Sequence, residues 1–512
     1  LLSRRQRQMC IRDRDMLIAK GISISNGIIN IPNRLSFDVE YYAKQLLAMT
    51  EKEVGYLYPA DENGNKPIAY YWARTATCSN PSCKAEVPLL KQFYLANTKS
   101  KQIYLNPIIH ETDIRFEIKE GECSIKEVWN HRGNLTCPCC GSVTTANQLK
   151  QQFKNKQTGE RLLAIITESK DGKLYKSPIT KDTIYLDIKA KRPTESMPTK
   201  YTQAFPSCTW GFSLWGDLFS NRQLYMLQSF VNNFSLLKDN IKEGLYFQAL
   251  YTYLAIWIDR IALANTALGR WHTSGEKLEH PVNRQAIAMT FDYPESNPFC
   301  SSSGSALNQL EWIIRYLESE SNISFSAQAA NASSGEKEQF SAKTLTAVVT
   351  DPPYYDAIGY ADISDFFYVW LKQTLSDLYP INFATPQTPK SEECTALKHY
   401  HHHSEAKAKL HFENKLTTIF DAIELQTSDI VSIMFAHQST EAWTTLCNSI
   451  LSSRMNITGS WPMDTELANR SRGLDSAALE SSVTVSCRPS ERSGYGSFKQ
   501  VKRAIEEKVN KE

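Results

Sequence analysis

The chain has 512 residues, enough for about three domains. Apolar residues make up 42% and there are 21 glycines, an ordinary globular composition that excludes collagen, wholesale disorder and a small disulfide scaffold. The 57 basic and 55 acidic residues nearly cancel, and no apolar run is long enough to span a bilayer. The best candidate, Ala249 to Leu268, is broken by Asp259 and Arg260. A soluble, cytoplasmic chain is expected.

The opening LLSRRQRQMCIRDR, Leu1 to Arg14, has neither an apolar h-region nor a small-residue cleavage site, so it does not read as a secretory signal. Its Met9 to Arg14 stretch resembles the translation of a transposase adapter used in sequencing libraries, so residues 1–14 are read as non-native. Setting them aside leaves 52 basic and 54 acidic residues, and the positive net charge is then no evidence for nucleic acid. A natural protein that continues upstream is the matching expectation.

Ser36 to Leu57 reads as a helix, and Ile68 to Gln148 alternates short β-like runs with cysteine pairs, so residues 36–148 form one predicted module. Residues 149–210 are a basic, β-rich segment: Lys150 to Lys200 holds twelve Lys/Arg against six Asp/Glu. Leu162 to Ile166 and Thr183 to Leu186 are its strands. The lysines serve either phosphate contact or a solvated surface. Residues 211–317 are α-rich, with helical spacing over Asn221 to Leu237 and Leu245 to Leu268. Residues 318–343, rich in Ser, Ala and Asn, are a linker or surface loop.

Residues 344–490 alternate strands and helices, and 491–512 are a tail. Leu345 to Thr350 (LTAVVT) reads as a buried strand ending in Asp351-Pro352-Pro353-Tyr354. Helices are predicted at Asp362 to Leu378, Glu413 to Leu425 and Thr440 to Leu451. Strands are predicted at Ile430 to Phe435, Ile457 to Trp461 and Ser482 to Cys487. The pattern implies a mostly parallel sheet covered on both faces, with ligands at the carboxyl ends of its strands.

Six of the twelve cysteines lie between Cys78 and Cys140, which in a reducing compartment points to metal. Cys78-x4-Cys83 and Cys137-x2-Cys140 are two pairs, the second in the form Cys-Pro-Cys-Cys-Gly of a zinc knuckle. Four thiolates make a closed, structural zinc site. The 53 residues between the pairs exceed the usual spacing, so either a β excursion is inserted or the first pair is not the partner. Cys139, Cys123 and His131 are rival ligands. His399, His401, His402, His403 and His411 read as an exposed loop leading into a helix.

The Asp351–Tyr354 turn carries the chemistry. Two prolines fix the backbone and remove two donors, Asp351 adds a carboxylate acceptor and Tyr354 an aromatic face. Such a set suits a planar group with an exocyclic amine. Accepting that amine's hydrogens draws its lone pair out of conjugation and leaves nitrogen able to attack a methyl group.

An apolar strand ending in DPPY resembles motif IV of the S-adenosylmethionine-dependent amino-methyltransferases of DNA, which act on adenine N6 or cytosine N4. VVTDPPYYDAIGYADISDFFYVWLK (Val348 to Lys372), WGDLFSNRQL (Trp215 to Leu224), GRWHTSGE (Gly269 to Glu276) and FDYPESNPF (Phe291 to Phe299) are similar to the large adenine-specific DNA methylases that contain a zinc ribbon. So are FAHQSTEAW (Phe435 to Trp443) and WPMDTELANRSRGLDSAALESSV (Trp461 to Val483), and the likeness runs from about Glu53 to Pro489.

The resemblance implies an α/β fold: a Rossmann-like methyltransferase sheet in the C-terminal part, an inserted zinc-ribbon β module and an α-rich segment. It implies methyl transfer to adenine N6 of a flipped base, with Asp351 and Pro352 accepting from the amine, Pro353 fixing the turn and Tyr354 stacking. Tyr355, Tyr360 and Phe366 are further pocket candidates, and Asp464, Glu466, Arg470 and Arg472 fall in a loop that it covers. S-adenosylmethionine and structural zinc are the implied cofactors. DNA and the proteins of a phage-defence system are the implied partners, and a membrane is not.

The chain departs from the family at the cofactor: no D-x-F-x-G-x-G turn stands upstream of DPPY, and Gly494-Tyr495-Gly496 lies in the tail. The family places that loop ahead of the matched region, so the cofactor-binding residues are unassigned. Cytosine N4 is the runner-up target. A non-catalytic zinc-ribbon DNA-binding protein is the alternative of another class.

Overall fold

The computed structural model describes residues 33–463 and 482–510, apart from 126, 170–171, 180–181, 183–187, 240–243, 283–285, 321–324, 326 and 491–496. It also gives the backbone of a hairpin, β1 (Ser23–Ser25) with β2 (Ile28–Asn30). Nine α-helices and several sheets make it a mixed α/β chain among these residues. No described helix is long and apolar enough to cross a membrane. Two units separate: Leu1–Phe325 with Ala361–Thr388, and Ser326–Tyr360 with Pro389–Glu512.

In the first unit α1 (Arg34–Val54) starts at Asn33, whose side chain accepts from the Ser36 N–H at 3.0 Å. The helix ends in a 3-10 turn, Gly55–Leu57, so the predicted Ser36 to Leu57 helix is nearly whole. β3 (Pro67–Thr77) follows, and ten of its eleven residues are buried. Next come β4 (Glu86–Pro88), paired with the end of β3, and an antiparallel meander of β5 (Tyr94–Asn97), β6 (Gln102–His110) and β7 (Asp113–Glu120). Short strands β8 (Asn130–His131), β9 (Asn134–Thr136) and β10 (Val143–Thr144) lead into α2 (Ala146–Lys154), which a Thr145/Gln148 capping box opens.

β11 (Gly159–Ser169) and β12 (Gly172–Lys176) then extend the β3 sheet, and the predicted strand at Leu162 to Ile166 lies inside β11. The other predicted strand, Thr183 to Leu186, falls outside the described residues. α3 (Asn221–Asp239) and α4 (Leu245–Ala264) are the two expected helices. After the hairpin of β13 (Arg270–His272) and β14 (Lys277–Glu279), β15 (Asp292–Ser296) pairs with the free side of β3, and α5 (Ala306–Ser319) completes the run. Flanked by β11 and β15, β3 needs apolar or aromatic side chains on both faces, and PIAYYWA supplies them.

One buried ion pair ties helix to sheet in this unit. Arg222 at the start of α3 donates to Glu295 of β15 at 2.7 Å, with side chains 5% and 1% exposed. The guanidinium lies 4.0 Å from the Tyr70 ring centroid on β3. Residues Ala361–Thr388 belong here too. α6 (Tyr360–Leu375) sets Phe366 against Trp215 and Phe219, and Trp370 against Phe219, with centroids 5.4–6.1 Å apart.

The second unit holds a four-stranded sheet in the order β16 (Leu345–Thr350), β17 (Thr427–Phe435), β19 (Ser482–Pro489), β18 (Met455–Met463). Its helices are α7 (Glu405–Gln426), α8 (Thr440–Ser452) and the terminal α9 (Phe498–Val509). Two sequence expectations need correction. The sheet is not mostly parallel: β16 and β17 are parallel, while β19 runs antiparallel to both β17 and β18. Nor is β16 a buried strand. It pairs only with β17 among the described strands, and Val349 is 80% exposed.

The cause is topological. The crossovers from β16 to β17 and from β17 to β18 step the same way across the sheet, so right-handed connections place α7 and α8 on one face. Phe412, Leu416, Phe420, Leu446 and Ile450 pack there against Val431, Ile433 and Phe435. The other face presents Val349, Trp461 and Met463.

Glu295→Ala is expected to destabilise the first unit by about 3–5 kcal/mol, because it strands a buried guanidinium. Chemical denaturation followed by aromatic fluorescence checks this, and a loss under about 1 kcal/mol would contradict it.

Candidate functional site

The four cysteines of the two pairs meet. Their sulfur atoms all lie within 4.8 Å of one another, with Cys78–Cys140 at 3.7 Å and Cys83–Cys137 at 3.8 Å. Tetrahedral zinc with Zn–S near 2.3 Å needs sulfurs about 3.8 Å apart. The group could therefore hold a metal ion and is compatible with structural zinc.

Each pair sits on a knuckle. Cys78 follows β3 directly, its N–H donating to the Ala85 carbonyl at 2.9 Å, and the Cys83 N–H donates to the Asn80 carbonyl at 3.0 Å. In the second knuckle the Cys137 N–H donates to Ser142 and the Gly141 N–H to the Cys137 carbonyl at 2.8 Å. Gly141 has φ +73°, a turn that a Cβ would strain. The Ser79 N–H donates to the Thr144 hydroxyl at 2.9 Å and joins the knuckles.

The long gap is resolved as an excursion: β4 to β9 occupy the residues between the pairs. Cys139, Cys123 and His131 are outside the group, as are the histidines of the 399–411 patch. His402 and His403 turn at positive φ ahead of α7, and His411 meets the Glu393 carbonyl at 2.9 Å. As free thiols the ligands are unlike: burial pushes Cys78 up to about 12, while hydrogen bonds from Ser142 bring Cys140 down to about 6. Metal binding must therefore release protons.

The Asp351–Tyr354 elbow stands at the carboxyl end of β16. Asp351 is exposed, Pro352 buried, and Pro353 and Tyr354 half-buried. The Tyr355 N–H donates to the Pro353 carbonyl at 2.9 Å and the Ala357 N–H to that of Tyr354 at 3.0 Å. No described residue donates to the Pro352 carbonyl. Tyr355 takes φ +54°, costly for a bulky residue, and its ring is held between Phe412 and His437 at 5.1 and 5.5 Å. It packs the core, whereas the Tyr354 ring meets the edge of Phe435 at 6.0 Å. Tyr360 is exposed, and Phe366 is buried in the first unit.

Beside the elbow lies a pair that the sequence reading missed. His437, just past β17, takes the Ser439 N–H on Nδ1 at 3.0 Å, so Nε2 carries the proton it gives to Asp356 at 3.2 Å. That hydrogen bond lowers the Asp356 pKa. The Ser439 hydroxyl lies 3.0 Å from the same Nδ1 and also caps α8, accepting from the Ala442 N–H. The signal was the position of both residues just past the ends of adjacent parallel strands.

In the basic segment Arg161 and Lys176 are paired with Glu86 and Asp61, and Lys173 donates to the Glu276 carbonyl. Asp464, Glu466, Arg470, Arg472, the Gly494–Gly496 turn and residues 1–14 lie outside the described residues. Compared with known proteins, the chain matches no family model, no curated protein and no solved structure.

Metal analysis of the purified chain is expected to find about one bound ion per chain, retained by Cys139→Ser and lost by Cys137→Ser. Loss in both variants, or in neither, would contradict the four-cysteine assignment.

Proposed function

We propose that the chain handles the target base in DNA methyl transfer to adenine N6, with zinc held by Cys78, Cys83, Cys137 and Cys140 as a structural ion. The observation that carries the reading is the elbow. An exposed carboxylate, a carbonyl with no described donor and a half-buried ring follow one another at the end of a parallel strand, where open α/β sheets place ligands. Asp351 and the Pro352 carbonyl would each accept one hydrogen of an exocyclic amine, and Tyr354 would stack on the base to offset part of the cost of unstacking it.

S-adenosylmethionine would supply the methyl group. No glycine-rich turn among the described residues fits its methionine part, so no residue is assigned to the cofactor and no step is derived through it. The outer edge of β16 is open among the described strands, and a segment carrying the cofactor loop would extend the sheet there. The Rossmann-like methyltransferase sheet is part of this proposal.

Two measurements test this reading. Replacing the Asp351 codon by Ala at the chromosomal locus is expected to erase N6-methyladenine from one sequence motif in a long-read methylome. An unchanged methylome would remove Asp351 from the mechanism, and N4-methylcytosine lost instead would reassign the base. Calorimetry of the 512-residue chain with S-adenosylmethionine is expected to show no binding tighter than about 100 µM. Micromolar binding would show that the chain holds a cofactor site of another design.

A further inference from the structure

A cavity of about 530 Å³ opens in the first unit, a volume typical of small-molecule sites. Its apolar wall is aromatic: Trp210, Phe212 and Phe219 line it, each largely buried. The Trp210 ring is braced edge-on by Phe153 at 5.5 Å and Phe291 at 4.8 Å.

The polar wall contains two arginine–glutamate pairs, Arg74–Glu160 at 2.6 Å and Arg222–Glu295 at 2.7 Å, which neutralise each other. Asp217 and Asp182 also line it, and backbone amides of Ser213, Leu214 and Ile179 donate to them. Two cations are left without a carboxylate partner among the described residues. Arg192 donates to the Gly216 carbonyl and the Asn221 side chain, and Lys156 is exposed.

Two further features favour an anion. Ser220, Asn221 and Arg222 line the cavity at the start of the 19-residue α3, where the helix dipole is positive. The Ser220 hydroxyl accepts from the Gln223 N–H at 3.1 Å and fixes that turn. Arg222 is buried, yet its Nη2 has no hydrogen-bond partner among the described residues. Such an orphan donor marks a place where an acceptor is missing.

We infer that this cavity binds a nucleotide unit, with the base against the aromatic wall and the phosphate at Arg192, Lys156 and the start of α3. A purely apolar ligand would leave the cations and Arg222 Nη2 unanswered. A bare inorganic anion would make no use of the aromatic wall. The inference does not rest on the methyl-transfer reading, because every lining residue belongs to the first unit.

Titration of the 512-residue chain with dAMP tests it, with deoxyadenosine, inorganic phosphate and a short single-stranded oligonucleotide as comparators. dAMP is expected to bind roughly tenfold more tightly than deoxyadenosine or phosphate, and Lys156→Ala to weaken it several-fold while Lys156→Arg restores it. Tighter binding of the oligonucleotide than of dAMP assigns the unit to a DNA strand, and the reverse to a free nucleotide. Either order supports the shared chemistry. Absence of binding by both overturns the inference. So does dAMP binding that Lys156→Ala leaves intact, or that is lost in Asp351→Ala, which would place it at the elbow.

Discussion

The parallel pairing of β16 with β17 is the constraint on which the chemistry proposed for the second unit depends. Its register, from Leu345 beside Thr427 to Thr350 beside Ile433, brings two chain ends to one edge of the sheet. One end continues into Asp351 and Tyr354, the other into Phe435 and His437. An antiparallel pair would have sent those ends apart. The strain at Tyr355 persists because Phe412 and His437 hold its ring, so the elbow's shape is paid for by core packing.

The first unit rests on a different kind of long-range closure. The two knuckles are separated by 53 residues, and closing so long a loop costs chain entropy that grows slowly with length. Four sulfur atoms at metal-binding distances answer that cost at one point, next to the end of β3. The same strand pairs with β11 and β15, so the excursion is anchored to the best-buried element of the unit.

Local pattern made most elements legible. Helical spacing marked α3, α4 and α8 to within a few residues, because each buries one continuous stripe. Strand direction and rank in the sheet were not legible. LTAVVT has the composition of a central strand, and nothing within six residues records that one flank has no described partner. The antiparallel course of β19 leaves no trace in its own residues. At the site, the cysteines were readable as pairs, and only the folded excursion decided that the pairs meet. The Asp356–His437 contact joins residues 81 apart in sequence, beyond any local pattern. Arg222, half of the pair that locks α3 to the sheet, looked like any polar residue on an amphipathic helix.

The central claim is that the elbow grips an exocyclic amine. Its most direct measurement compares the affinity of the chain for short single strands of deoxyadenosine and of deoxypurine riboside, which lacks only the amine. The account predicts a preference of roughly tenfold for the aminated base, abolished by Asp351→Ala. Equal affinity for the two strands in the unmodified chain would contradict it.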